Sequence, residues 1–285
     1  MLWGSELLRQ IQSVGSPLLT SLFKAITFLG NAEFYVFMLP VIWWCVDRAV
    51  GLRLAYLVLL SATLNANLKD LFRLPRPDPD QVRRLVEAEG YGFPSGHAQT
   101  AAAVALFLAR RARKGAVWGA AILFAFLVGF SRMYLGVHYP ADVLGGWGIG
   151  LLFMLLYAYL CNRYEDRLAS LPLWSKLALA VLVPLVFLAI HAAPDMVRNL
   201  AAMIGVGVGA VLERETLRFR VEGSWSRKGG RLVLGGIGLA VIYLGLRVVL
   251  PAAPFFRGMR YMLLGLWATF LAPWLFVLAG LAERE

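Results

Sequence analysis

Charged side chains are scarce in this sequence, 16% of 285 residues, where a soluble domain carries about a quarter. That shortage excludes an ordinary water-facing globular surface. Acidic residues are scarcer than basic ones, 17 against 28. The resulting net charge of +11 is spread over short loops between apolar runs rather than gathered on one helix. Nucleic acid is therefore not expected as a partner. Only two cysteines occur, Cys45 and Cys161, which rules out a disulfide framework and leaves both as packing residues. The first residues do not combine a basic start, an apolar stretch and a small-residue cleavage site, so no cleavable signal peptide is expected. No low-complexity tract and no internal repeat is evident.

Apolar residues fill the space that charge leaves, 60% of the chain with a mean hydropathy of +0.68. A bilayer crossing needs about 20 apolar residues, and such runs recur from one end to the other. The sequence predicts an all-α, polytopic membrane helix bundle. Trp3, Leu7, Leu8, Ile11 and Val14 recur at helical spacing, with Glu6, Arg9, Gln10 and Gln12 elsewhere on the wheel. This pattern predicts an amphipathic helix lying at the membrane surface. Pro17–Leu29 reads as a short or partly inserted helix. Nine crossings are then expected, beginning near Phe34, Leu52, His97, Ala116, Val143, Leu173, Leu200, Leu232 and Tyr261. Three organisational blocks follow: residues 1–30 as the interfacial region, 31–168 as a core, and 169–285 as a four-helix extension. Gly205 and Gly209 have the spacing that lets helices touch closely, expected here within the chain rather than at a dimer seam. The oligomeric state stays open.

Basic residues set the expected orientation. Arg48, Arg53, Arg110, Arg111, Arg113, Lys114, Arg163, Arg167 and the run from Arg214 to Arg231 fall on one face. The richer face should be cytoplasmic. That places the amino terminus outside and the carboxyl terminus inside, in a membrane of the bacterial inner or cell-membrane type.

Against this greasy background three short stretches carry ionisable groups, and such groups in a membrane span point to function. In Lys69–Pro77, Lys69 and Arg76 lie about two helical turns apart, with Pro75 and Pro77 ending the helix. Taken alone, they could be interface residues that snorkel. In Pro94–His97, Ser95 is placed to cap an alanine-rich helix, and Gly96 lets a ligand approach the backbone. Free N–H groups there would cradle an anion, with His97 in the first turn; a plain helix start is the alternative. In Ser131–Asp142, His138 and Asp142 are four apart. A carboxylate beside an imidazole fixes its tautomer and prepares the other nitrogen as a nucleophile. Arg132 offers bidentate contacts to phosphate. The expected topology puts all three stretches on the non-cytoplasmic face. A zinc site is the rival for two histidines and an aspartate, but three cations would repel a metal and attract an oxyanion. No metal or cofactor is expected.

Together Lys69, Arg76, Pro77, then Pro94, Ser95, Gly96, His97, then Ser131, Arg132, His138 and Asp142 match the pattern K-x6-RP, PSGH and SR-x5-H-x3-D. The chain in this respect resembles the type 2 phosphatidic acid phosphatases, or lipid phosphate phosphatases, over about residues 34 to 160. The crossing count is similar to the glucose-6-phosphatase and sphingosine-phosphate phosphatase branches. The resemblance implies that His138 is a nucleophile forming phosphohistidine, oriented by Asp142, and that His97 is the general acid and base. Lys69, Arg76, Arg132, Ser95 and Gly96 would bind phosphate. The implied activity is metal-independent hydrolysis of a lipid phosphomonoester or diphosphate, with the loop from Asp78 to Phe93 covering the site. A phosphotransferase using the same intermediate would differ in releasing less inorganic phosphate. A non-enzymatic transporter or scaffold would survive loss of His138.

Overall fold

The computed structural model describes residues 4–190 and 194–285. Trp3, and Ala192 at the expected end of one crossing, lie outside the described residues. Eleven helices account for most of the chain: α1 (Ser5–Ser13), α2 (Pro17–Phe28), α3 (Ala32–Cys45), α4 (Arg48–Phe72), α5 (Gly96–Ala112), α6 (Gly115–Tyr134), α7 (Pro140–Ala169), α8 (Leu173–Ile190) and α9 (Pro194–Leu212). The last two are α10 (Trp225–Val249) and α11 (Pro254–Leu278), each interrupted by one π-helical turn. The fold is all-α and multi-pass. Among the described residues six helices are long and apolar enough to cross a membrane, and the bent pair of α2 and α3 would make a seventh span.

That count differs from nine for a physical reason. The alanine-rich α5 is 17 residues long, about 25 Å at the helical rise, and α8 is a shorter apolar helix. Both are shorter than a full span. Large apolar side chains such as Leu152, Leu156 and Tyr159 on α7, and Val233, Ile237 and Val241 on α10, are exposed. Those faces suit lipid rather than water.

The chain divides into two compact units, residues 1–35 with 64–163, and residues 36–63 with 164–285. In the first unit α2 packs on α6 through Phe23 against Phe130 and Tyr134, joined by Leu135 and Val137. The inward face of α1 is carried by Leu8 and Gln12, whereas Leu7 and Val14 are exposed. Gln12 therefore belongs to the buried side rather than the polar one. Its amide donates to the carbonyls of Arg83 and Tyr134, at 2.8 and 2.9 Å. Ala105, Ala109 and Ala121 pair α5 with α6. The backbone of α7 lies directly on α5, because a Cβ at Gly146 would meet the Ser95 carbonyl at 2.6 Å and one at Gly150 would overlap that of Gln99.

In the second unit, Trp43, Trp44, Phe219, Leu239, Leu264 and Phe276 build the core. The close-packing glycines are satisfied inside the chain, with Gly205 of α9 against the Met262 backbone and Gly209 against Thr269, both on α11. Arg231 is fully buried and donates to the carbonyls of Trp44, Val221, Glu222 and Leu281. Both cysteines are free thiols.

Candidate active site

All eight singled-out residues fall in the first unit, and the structure brings the three stretches together. Lys69 occupies the last turn of α4 and donates to the Tyr91 carbonyl at 2.9 Å. Past the prolines the chain runs without regular structure to Pro94. Arg76 stands at the centre: its guanidinium donates to the carbonyls of Glu89, Gly90 and Val137 at 2.9 to 3.0 Å, and Nη1 reaches His138 Nε2 at 3.1 Å. Snorkelling into solvent is not what these two cations do. They clasp the loop from Asp78 to Phe93 instead.

His138 lies between α6 and α7, 2% exposed, and its Nδ1 is 3.3 Å from Asp142 Oδ2. The same carboxylate oxygen accepts the Tyr139 N–H at 2.9 Å, so the start of α7 holds Asp142 rigidly. With Arg76 donating to Nε2, that nitrogen carries the lone pair and Nδ1 the proton. Burial above all, and then the charges of Arg76, Arg132 and Lys69, hold the His138 imidazole neutral well below the usual histidine range. Burial also lowers the Arg76 guanidinium from its ordinary value, opposed by Asp142.

The second stretch is tied to the third through the backbone, since the Ser95 N–H donates to the Asp142 carbonyl at 2.9 Å. Ser95 stands at the N-cap of α5, but its hydroxyl caps nothing. It is buried without a partner, as are Arg132 Nε and Asp142 Oδ1. Two of these three are donors of the kind an oxyanion takes. A buried donor left unpaired costs about 1–3 kcal/mol, so such groups mark a site for a polar ligand. Arg132 is otherwise held by Thr27, its Nη1 donating to Oγ1 at 2.7 Å. His97 Nε2 meets Asn31 Oδ1 at 2.7 Å.

Gly96 makes room for a neighbouring helix. A Cβ there would strike Asn65 Oδ1 at 2.8 Å, and Asn65 uses its amide nitrogen to hold the Pro94 carbonyl at 3.2 Å and Gln99 at 2.9 Å. Asn65 lies one helical turn before Lys69, so α4 fixes both the loop end and the cation. Asn31, Thr27 and Asn65 escape a motif reading. Their only signal is an amide or hydroxyl set among apolar neighbours. Among the described residues no group of three or more His, Cys, Asp or Glu could hold a metal ion.

Residues 50–167 match the PAP2 superfamily, and residues 197–284 match the PAP2 superfamily phosphatase transmembrane extension. Phosphatidylglycerophosphatase B of Bacillus subtilis (strain 168) is 34% identical over 50% of this chain and 75% of its own length. Sphingosine-1-phosphate phosphatase 2 of Homo sapiens is 36% identical over 47% of this chain and 36% of its own length. Lipid phosphate phosphatase delta of Arabidopsis thaliana is 24% identical over 59% of this chain and 44% of its own. The chain thus spans less than half the length of the last two relatives. Matched over the stretch that holds Lys69, Arg76, His97, Arg132, His138 and Asp142, the chain belongs to the PAP2 superfamily.

Proposed function

We propose that this protein is a membrane phosphatase that hydrolyses a lipid phosphomonoester or diphosphate through phosphohistidine at His138. The observation that carries the reading is the setting of His138: Nδ1 faces Asp142, and Nε2 lies 3.1 Å from a guanidinium.

In the resting site Arg76 engages the nucleophilic lone pair. A phosphate group offers Arg76 charged acceptors that outcompete a neutral imidazole, so substrate binding itself frees Nε2. Lys69, Arg76 and Arg132, with the Ser95 hydroxyl and the N–H groups at Gly96, hold the non-bridging oxygens and stabilise their charge as the transition state forms. His138 Nε2 bonds to phosphorus, the ester or anhydride P–O bond breaks, and the departing oxygen takes a proton from His97. Asp142 stabilises the cationic ring that results. His97, now neutral, removes a proton from water as it attacks phosphorus, and inorganic phosphate leaves with His138 restored. Every charge in the sequence is met by protein groups, so no metal takes part.

The same proposal includes the topology. The six long spans, the bent pair of α2 and α3, and the shorter α5 and α8 make nine crossings. α1 lies at the interface, the site faces outward and the carboxyl terminus lies inside. Residues 31–168 form the phosphatase core and 169–285 a membrane extension. Phosphorylated membrane lipids are the substrate class, in keeping with the activities in the relatives' names.

Phosphate release from a panel of lipid phosphates and diphosphates, in EDTA, tests the reading. Wild type should release stoichiometric inorganic phosphate from at least one, and His138→Ala none. Equal release by the variant, or a strict need for added zinc, contradicts it.

A further inference from the structure

The break between α2 and α3 (bent by 54°) precedes the stretch matched to the family, yet it touches both flanks of the site. Asn31 Oδ1 lies 2.7 Å from His97 Nε2. At Gly30 a Cβ would strike His97 Cδ2 at 2.8 Å and crowd Val128 at 3.1 Å, so only glycine lets the turn close on the imidazole. One helical turn earlier Thr27 holds Arg132. The break has its own anchoring: the Gly30 and Asn31 N–H groups donate to the Thr27 and Phe28 carbonyls at 2.9 and 3.0 Å. A polar side chain at a helix break inside an apolar segment is expensive unless it is paired. Here its partner is the general acid.

We propose that Asn31 is a positioning residue for His97: its amide oxygen accepts the Nε2 proton and fixes the ring so that Nδ1 is the nitrogen that gives and takes the catalytic proton. The N-terminal segment thus completes a site whose motif residues all lie downstream. The inference deepens the phosphatase reading and rests on it for its catalytic consequence. An amide oxygen can accept from a neutral imidazole and from an imidazolium, and it stabilises the cation further. Asn31 therefore helps His97 hold the proton it must donate. The charged and titratable groups facing His97 are Arg132 on α6, Lys69 on α4, and Arg76 and His138 in the loops. Three cations stand near the ring, so a neutral oxygen on the remaining nitrogen has a defined task.

The test compares wild type, Asn31→Ala and Asn31→Asp. Asn31→Ala should lower kcat about 10- to 100-fold with KM nearly unchanged, and move the alkaline limb of the kcat profile to lower pH. Asn31→Asp keeps the shape of the side chain and adds a charge. It should restore part of kcat and move that limb to higher pH by about one unit or more. A second readout needs no turnover. The chain has three histidines, so isotope-labelled imidazole resonances can be assigned by single replacement. In Asn31→Asp the His97 resonance should titrate at higher pH than in wild type, with Nε2 protonated in the neutral form. Should Asn31→Ala fail to fold, Asn31→Asp decides alone. Unchanged His97 titration in Asn31→Asp, or a neutral ring protonated on Nδ1, overturns the inference. A normal titration shift in a protein without phosphatase activity would instead sink the functional reading and leave the positioning role standing.

Discussion

In the proposed mechanism the burial of His138 and the three cations around it set its chemistry. An imidazole acts as a nucleophile only when neutral. Burial and the nearby positive charges keep it neutral to lower pH than an exposed histidine, whose ordinary value is about 6.5. The acid limb of kcat/KM should therefore lie below that value. Arg76→Met removes the cation 3.1 Å from Nε2, which makes protonation easier. The limb should move up by about one pH unit, and kcat/KM should fall at all pH because a phosphate contact is lost. A wild-type limb above pH 7, or the same limb in both proteins, would contradict this account. Lys69, Arg76, His97, Arg132, His138 and Asp142 stand out as ionisable groups in an apolar chain, but it is the joint pattern of the three stretches that singles them out, since the first two taken alone read as interface residues and a plain helix start. What was not legible was their resting partners. Ser95 stands at the N-cap of α5 but its hydroxyl makes no cap hydrogen bond, and nothing in the sequence signals that Asn65 approaches Gly96 from another helix.

At the scale of elements, the site depends on how closely α7 lies on α5. A Cβ at Gly146 would meet the Ser95 carbonyl at 2.6 Å, whereas one at Gly148, two residues on, would find no atom within 4 Å. Gly146→Val should push the helices apart and loosen the hydrogen bond from Ser95 to Asp142. A loss of about 1–3 kcal/mol of stability and at least tenfold of kcat is expected. Gly148→Val should stay within about 0.5 kcal/mol of wild type. Thermal unfolding in detergent with phosphate release checks both, and equal behaviour of the two variants would refute the contact argument. Helix positions were readable from apolar runs, whereas the spacing of Gly205 and Gly209 signalled close helix contact without naming the partner, which is α11. The burial of Gln12 did not, because a polar residue on a wheel gives no sign that two distant carbonyls, of Arg83 and Tyr134, await it.

For the whole molecule, charge distribution sets the orientation. His97 begins α5, and Arg110, Arg111 and Arg113 lie at its other end. The proposed topology places these ends on opposite sides of the membrane. With Cys45 and Cys161 replaced by serine, Glu87→Cys in the loop should react with an impermeant maleimide from outside. Lys114→Cys should react only after the membrane is opened. Labelling of both from the same side would reverse or break the topology. The crossing count was the least legible global feature, since among the described residues six helices are long and apolar enough to span alone, α2 and α3 are so only as a pair bent by 54°, and α5 and α8 are short.

The central claim is a covalent bond between phosphorus and His138. Rapid quenching of purified protein with a radiolabelled lipid phosphomonoester, followed by peptide mapping, tests it directly. The label should appear on the peptide containing His138 within the first turnover, acid-labile and stable to base. It should be absent from His138→Ala. Turnover with no trapped label in wild type, or a label on any other residue, would contradict the account.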